Sequence, residues 1–270
     1  MKTAPPAAAT DLVRSQRDAR GVITLTLNQP QNFNALSAPM IAALHLNLVA
    51  IAKDQQVRAV VLAASGRAFC AGHNLHDMAA NPLEADYQQL FKQCSAMMLS
   101  IARLPVPVIA RVQGVATAAG CQLVAQCDLA VCSPGARFAT SGIHYGLFCS
   151  TPSVPLVRTM ALKHAMQMLI TGEFIDAATA QAHGLVNAVA GDDSEAALDV
   201  EVEELIVQIV NKPRLALQMG KELVMQQQGL SLEAAYALAG QTMTANMMDA
   251  SAQEGVRAFV DKRLPAWKNE

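Results

Sequence analysis

Residues 107–132 read PVIARVQGVATAAGCQLVAQCDLAVC, and their order decides how the rest of the chain is read. The first six form an apolar run broken only by Arg111, as expected of a strand buried on both faces. Gly114 and a run of small side chains follow, then a short helix containing Gln122, then a second apolar run, Asp128-Leu-Ala-Val-Cys. Strand, helix and strand in succession form a crossover, which implies α/β architecture with mostly parallel sheet and ligands gathered at the strand ends.

Working outward from this stretch extends the pattern. LVRS at 12–15 and VITLTL at 22–27 flank a polar segment and read as a hairpin, the second arm alternating with period two. Ser37 caps a helix with Pro39 in its first turn and apolar periodicity over 40–53. VRAVVLAA at 57–64 is a buried strand closed by Ser65-Gly66, and a helix over 87–104 is stopped by Pro105. A short strand precedes the loop Phe69-Cys-Ala-Gly-His-Asn-Leu, and Arg137-Phe-Ala-Thr is another strand. From Pro152 onward helices are expected over 154–162, 164–169, 177–183, 195–210, 215–228, 232–249 and 252–260, with only VNAVA (186–190) strand-like. The chain therefore divides into a β/α core over 10–190 and a helical C-terminal region over 191–270.

Composition narrows the function. Of 270 residues, 52% are hydrophobic and only 16% charged, so surface is expected to be buried between subunits as well as within them. Lys and Arg total 20 against 22 Asp and Glu, a net charge of −2 that leaves no electrostatic footprint for nucleic acid. No apolar run reaches the ~18–20 residues of a membrane span. Cys70, Cys94, Cys121, Cys127, Cys132 and Cys149 sit in apolar runs without a C-x-x-C pair, which reads as reduced core thiols. With no apolar leader near the N-terminus, these features place the chain in the cytoplasm as an expectation.

No P-loop, dinucleotide fingerprint or G-x-S-x-G motif is present. His73, His76 and Asp77 are close in sequence, but no second ligand cluster accompanies them and no metal is expected. The remaining chemistry belongs to the backbone. Ala71-Gly72-His73 and Ala118-Ala119-Gly120 both permit close main-chain approach, and the second opens a helix whose free N–H groups favour negative charge. Two such donors converging would polarise a carbonyl and hold an oxyanion; ordinary tight packing of helix on sheet explains the same small residues equally well.

Six ordered motifs, NFNAL, AFCAGHNL, VQGVATAAGCQLVAQCDLAV, FATSGIHYGL, TGEFIDAATAQAHGLVNAVA and GVRAFVDKRLPAW, closely resemble the crotonase (enoyl-CoA hydratase/isomerase) superfamily over residues 12–267. The resemblance implies a spiral ββα core, a C-terminal helical trimerisation region, trimers or dimers of trimers, and acyl-CoA thioesters as ligands, with coenzyme A present only as part of the substrate. It implies that the N–H groups of His73 and Ala119 grip the thioester oxygen, and that Ala35, Ala71, Asn74 and Leu75 contact CoA, joined by Gly120 and by Lys262 of this or a neighbouring subunit.

Departures from the family pattern are as informative. Hydratases of the family carry glutamates at the positions of Gln122 and Gly142; a neutral amide and a glycine cannot handle the protons of syn addition near neutral pH. His144 is the candidate replacement base, with Tyr145, Ser141 and Cys149 as weaker candidates. Where the family often has Lys or Arg before N-A-L, this chain has Gln31, Asn32 and Phe33, leaving Lys262 and Arg263 to meet the CoA phosphates. Three readings follow: an acyl-CoA enzyme that stabilises an enolate without being an efficient hydratase, a decarboxylase of malonyl-type thioesters, or a non-catalytic acyl-CoA-binding protein.

Overall fold

Alternation in β2 (Val22–Leu27) turns Ile23, Leu25 and Leu27 into the main core while Val22 is buried on the opposite face, and the strand pairs antiparallel with β1 (Val13–Arg17) across Gly21, whose φ is 81°. The structure is a computed structural model that describes residues 12–80 and 82–268. Eight further strands follow: β3 (Ala59–Ala64), β4 (Ala68–Cys70), β5 (Val108–Val112), β6 (Val115–Thr117), β7 (Leu129–Cys132), β8 (Arg137–Ala139), β9 (Ile175–Asp176) and β10 (Ala188–Val189). They form a six-stranded sheet of order β1-β2-β3-β5-β7-β10 and a four-stranded sheet of order β4-β6-β8-β9. All pairings from β2 to β10 in the large sheet are parallel, as are β4-β6 and β6-β8 in the small one.

Successive strands alternate between sheets: β3, β5 and β7 enter the large sheet, and β4, β6 and β8 enter the small one directly after. The chain changes sheet at tight turns. At Gly114 (φ 61°) an added Cβ would lie 2.0 Å from the Arg67 carbonyl oxygen, so only glycine fits. A helix usually follows each strand pair, giving the repeated ββα unit that the resemblance implies. The β6 strand was hidden in the sequence because three small residues carry no readable period.

Helices fill the space between and around the sheets. Helix α1 (Ala38–Lys53) starts at Ser37, whose Oγ accepts from the Met40 N–H at 3.3 Å, as read from the sequence. Next come α2 (Leu75–Ala80), α3 (Glu84–Ala102) and α4 (Ala119–Gln126), whose buried Cys121, Leu123 and Val124 join the main core with Met97 and Ile101 of α3. Then follow α5 (Ser150–Thr159), α6 (Leu162–Thr171) and α7 (Ala177–Ala182). Helix α8 (Glu195–Val210) lays Leu198, Val202, Ile206 and Ile209 against the outer face of the large sheet, beside Val61, Ile109 and Val131. This helix completes the core, so the helices that stand off it begin later than residue 191. They are α9 (Arg214–Gln227), α10 (Leu232–Met247) and α11 (Ala250–Val260), among which only Ala258 is buried. No helix of the described residues is long and apolar enough to cross a membrane.

Candidate active site

Two loops at the ends of β4 and β6 meet behind one cavity. The first, Ala71-Gly72-His73, is held by Ala71 N–H donating to the Phe33 carbonyl (3.0 Å) and by the Gly72 carbonyl accepting from Leu36 N–H (2.7 Å). The second is Thr117-Ala118-Ala119. Ala118 stands at φ 51°, ψ −120°, a conformation that L residues rarely adopt, and its N–H donates to the Ala139 carbonyl of β8 at 3.0 Å. Such backbone costs about 1–3 kcal/mol and persists where neighbours over-determine it. The loops touch: a Cβ on Gly72 (φ 88°) would lie 2.9 Å from Ala118 Cβ and 3.1 Å from Ala119 N. Ala119 opens α4, so no carbonyl within its own helix accepts its N–H. Neither it nor His73 N–H donates to a backbone acceptor outside regular elements among the described residues.

The cavity of about 170 Å³ in front of these loops is lined by Ala71, His73, Leu75, Ala118, Ala119 and Gly142, with Met78 of α2 and Phe91 of α3 on one side and the segment from Tyr145 to Pro152 on the other. Among the described residues, no Asp, Glu, Lys or Arg is on its wall. Tyr87 Oη donates to the Met78 carbonyl at 3.1 Å, tying α3 to α2 beside it. His73 Nδ1 lies 3.3 Å from the Leu36 carbonyl. A carbonyl only accepts, so a hydrogen bond there puts the proton on Nδ1, and the buried Nε2 has no partner among the described residues. Burial holds this imidazole below its ordinary pKa, against the smaller pull of the Leu36 carbonyl, so the ring is neutral at neutral pH.

Gln122 is 3% exposed, one turn into α4, and its Oε1 has no hydrogen-bond partner among the described residues. It is not on the cavity wall. At Gly142 the space for any side chain is closed: a Cβ would lie 2.6 Å from the Leu147 carbonyl oxygen and 2.9 Å from Cys149 Sγ. Burial raises the Cys149 thiol above its ordinary range and pushes those of Cys70, Cys94, Cys121 and Cys132 up to about 12, so none is a thiolate near neutral pH.

Other sequence-based expectations are corrected here. His144 lies in the short 3-10 turn Ser141–Tyr145, exposed, with its imidazole against Gly172 at the end of α6 and off the cavity wall. Proximity in sequence to Gly142 did not carry its side chain into the site. At Gly120 a Cβ would lie 2.1 Å from the Cys70 carbonyl oxygen, so its bareness serves the packing of α4 on β4. Asn74 caps α2, its Oδ1 accepting from the N–H groups of His76 (3.0 Å) and Asp77 (3.4 Å), and it lines a neighbouring groove instead. Ala35 lies beside that groove in sequence, its N–H donating to the Asn32 carbonyl at 3.0 Å. Lys262 is exposed after α11 and does not reach the cavity within this chain. Arg263 is engaged by both oxygens of Glu254, at 2.5 and 2.9 Å.

A family model described as enoyl-CoA hydratase/isomerase matches residues 17–270. The chain belongs to that family. A relative named enoyl-CoA hydratase domain-containing protein 3, mitochondrial, from Xenopus laevis is 41% identical over 92% of this chain and 83% of its own length. The 2,3-dehydroadipyl-CoA hydratase of Escherichia coli is 33% identical over 92% of this chain and 95% of its own. Among solved structures, an enoyl-CoA hydratase of Mycobacterium smegmatis superposes with a TM-score of 0.92 at 57% identity, covering 95% of this chain and 99% of that one. Human enoyl coenzyme A hydratase domain-containing protein 3 gives 0.88 at 38% identity, covering 95% and 100%. The crotonase fold of the family is thus present. Relatives from frog, zebrafish and human are named mitochondrial, which overturns the cytoplasmic expectation.

Proposed function

We propose that the chain binds an acyl-CoA thioester with its carbonyl oxygen between the N–H groups of His73 and Ala119, stabilises the enolate, and is not an efficient two-glutamate hydratase. Coenzyme A enters as part of the substrate, with no separate prosthetic group. The observation that carries the reading is a cavity with backbone donors at its rear and no carboxylate on its wall. Each donor aimed at a developing oxyanion contributes about 3 kcal/mol of transition-state stabilisation. Family membership and the hydratase names of relatives support the thioester as ligand. The closed space at Gly142 and the neutral amide of Gln122 argue against their reaction.

A reaction suited to such a site makes its enolate without a base. In decarboxylation of a malonyl-type thioester the carbon–carbon bond to the carboxylate breaks, its electron pair enters the enolate, carbon dioxide leaves, and the α-carbon then takes a proton from water. The uncharged wall favours loss of a carboxylate it cannot solvate. The second reading, a non-catalytic acyl-CoA-binding protein, rests on the same absence of a carboxylate among the described lining residues.

Thermal-shift measurements against saturated, enoyl and malonyl-type CoA thioesters, followed by turnover assays on each binder, test the proposal. Stabilisation by thioesters with release of carbon dioxide from the malonyl type supports the enzymatic reading; stabilisation without turnover supports the second. No stabilisation at concentrations well above micromolar overturns both.

A further inference from the structure

Decarboxylation needs no base, yet one group on the cavity wall can act as one. The described lining residues with titratable side chains are His73, Tyr145 and Cys149. Burial keeps Cys149 a neutral thiol, and Tyr145 turns most of its surface to solvent. Of the groups on the helices beside the cavity, Tyr87 Oη is tied to the Met78 carbonyl, while Asp77 and Asp86 line the neighbouring groove. His73 is different. Its ring meets Phe91 of α3 edge-on, with centroids 5.6 Å apart and planes at 64°, and its Nδ1 lies 3.3 Å from the Leu36 carbonyl. One apolar and one polar contact therefore fix the ring.

With the proton on Nδ1, Nε2 keeps its lone pair, and it is buried with no partner among the described residues. An acceptor left unpaired in this way costs about 1–3 kcal/mol. Tight packing of the loop explains why the ring is buried, but not why an acceptor is left open beside a cavity. Position adds a second argument. The backbone N–H of this same residue is one of the two donors at the rear of the cavity. A thioester oxygen held there puts C2, the carbon next to the carbonyl, within one side chain's length of Nε2. That atom is closed to water, so a ligand meets it by moving the lining aside; Met78, unbranched and adaptable, is the lining side chain readiest to yield.

We propose that the His73 imidazole is a base toward C2 of the bound thioester, which gives the chain a proton-exchange activity on acyl thioesters that carry no carboxylate. The proposal rests on the reading of the cavity as a thioester site, and its test separates the two. Nε2 takes a C2 proton, the C–H electron pair enters the enolate, and the charge gathers on the oxygen between the two N–H groups. The imidazolium exchanges its proton with solvent and returns one to C2, so nothing is consumed. No water is held against the acyl chain, which sets this chemistry apart from hydration. Deuterium entry at C2 of butyryl-CoA in heavy water is followed by proton NMR, beside calorimetric Kd values, for the full chain and for His73→Phe and His73→Gln. Both substitutions keep the backbone N–H. The unaltered chain is expected to exchange C2 well above the buffer rate. Only the neutral ring is a base, and burial keeps it neutral to lower pH than usual, so the rate is level above about pH 6.5 and falls at lower pH. Each substitution slows exchange about a hundredfold or more, with Kd changed by less than about threefold. Nitrogen NMR of the ring in the unaltered chain at pH 7 shows the proton on Nδ1. Butyryl-CoA bound without exchange overturns the proposal and leaves the thioester reading standing, as does full exchange in both variants or a ring proton on Nε2. Failure of the unaltered chain to bind butyryl-CoA overturns the thioester reading and the base with it.

Discussion

Ala118 and Gly120 sit two residues apart and do opposite things. Ala118 holds a strained conformation that brings the Ala119 N–H to the rear of the cavity; Gly120 lets α4 press against Cys70. Gly120→Ala forces a methyl to 2.1 Å from a carbonyl oxygen. It is expected to cost about 3 kcal/mol, read as a lower denaturant midpoint with unchanged slope. The histidines give a second test. Burial lowers the pKa of His73, and burial followed by neighbouring His164, stacked at 3.5 Å, lowers that of His183. The unfolded chain therefore takes up these protons first, and the stability present above the ordinary value of about 6.5 is lost as pH falls below it. The melting temperature is expected to drop between pH 7.5 and 5.5, and His183→Gln is expected to reduce the drop; an unchanged or higher temperature at pH 5.5 would contradict this. The same scale explains what sequence reading missed. Small residues at 118–120 were visible, but assigning Gly120 to packing required knowing that Cys70 lies across from it. His144 was misplaced because a short 3-10 turn rotates it away from a neighbour two residues earlier.

At the scale of elements, α4 is positioned by β4 and β6, and α9 is tied to the core by Arg214, which donates to the Val57 carbonyl at 3.1 Å, and by Lys221. Lys221, in α9, donates to the carbonyls of Ile101 and Val106, each at 3.0 Å, and to Asp128 Oδ2 at 2.6 Å. Its side chain is only 9% exposed. Lys221→Met leaves those acceptors short of a donor and is expected to cost about 3–5 kcal/mol, measured by chemical denaturation. A loss under about 1 kcal/mol would show that α9 docks independently of this lysine. Most elements were legible because their periods are long: the alternation of Val22–Leu27 and the capped, amphipathic run after Ser37 both match the structure. The short strands β6 and β9 were not, since their place is set by partners distant in sequence, although β8 and β10, equally short, were read from their apolar residues. The bridge that Asn34 makes from its own loop to the carbonyls of Ser65 and Ala68 was invisible for the same reason.

For the whole molecule, the helices beyond the core leave Leu232, Tyr236, Met243 and Phe259 each more than two-thirds exposed. Exposed apolar surface of that kind is typical of faces that contact another copy or a partner. Light scattering is expected to give a mass near a multiple of three chains, and Tyr236→Glu with Phe259→Glu is expected to shift it toward the monomer. A monomeric unaltered protein would remove the oligomeric expectation and leave the cavity reading intact. The central claim is that this cavity holds a thioester yet lacks the groups that add water to it. It is tested most directly by following the enoyl absorbance of crotonyl-CoA on protein shown by calorimetry to be saturated with it. The account predicts binding with hydration indistinguishable from the uncatalysed rate; turnover at about 10 per second or more, the range of ordinary enzymes, would contradict it.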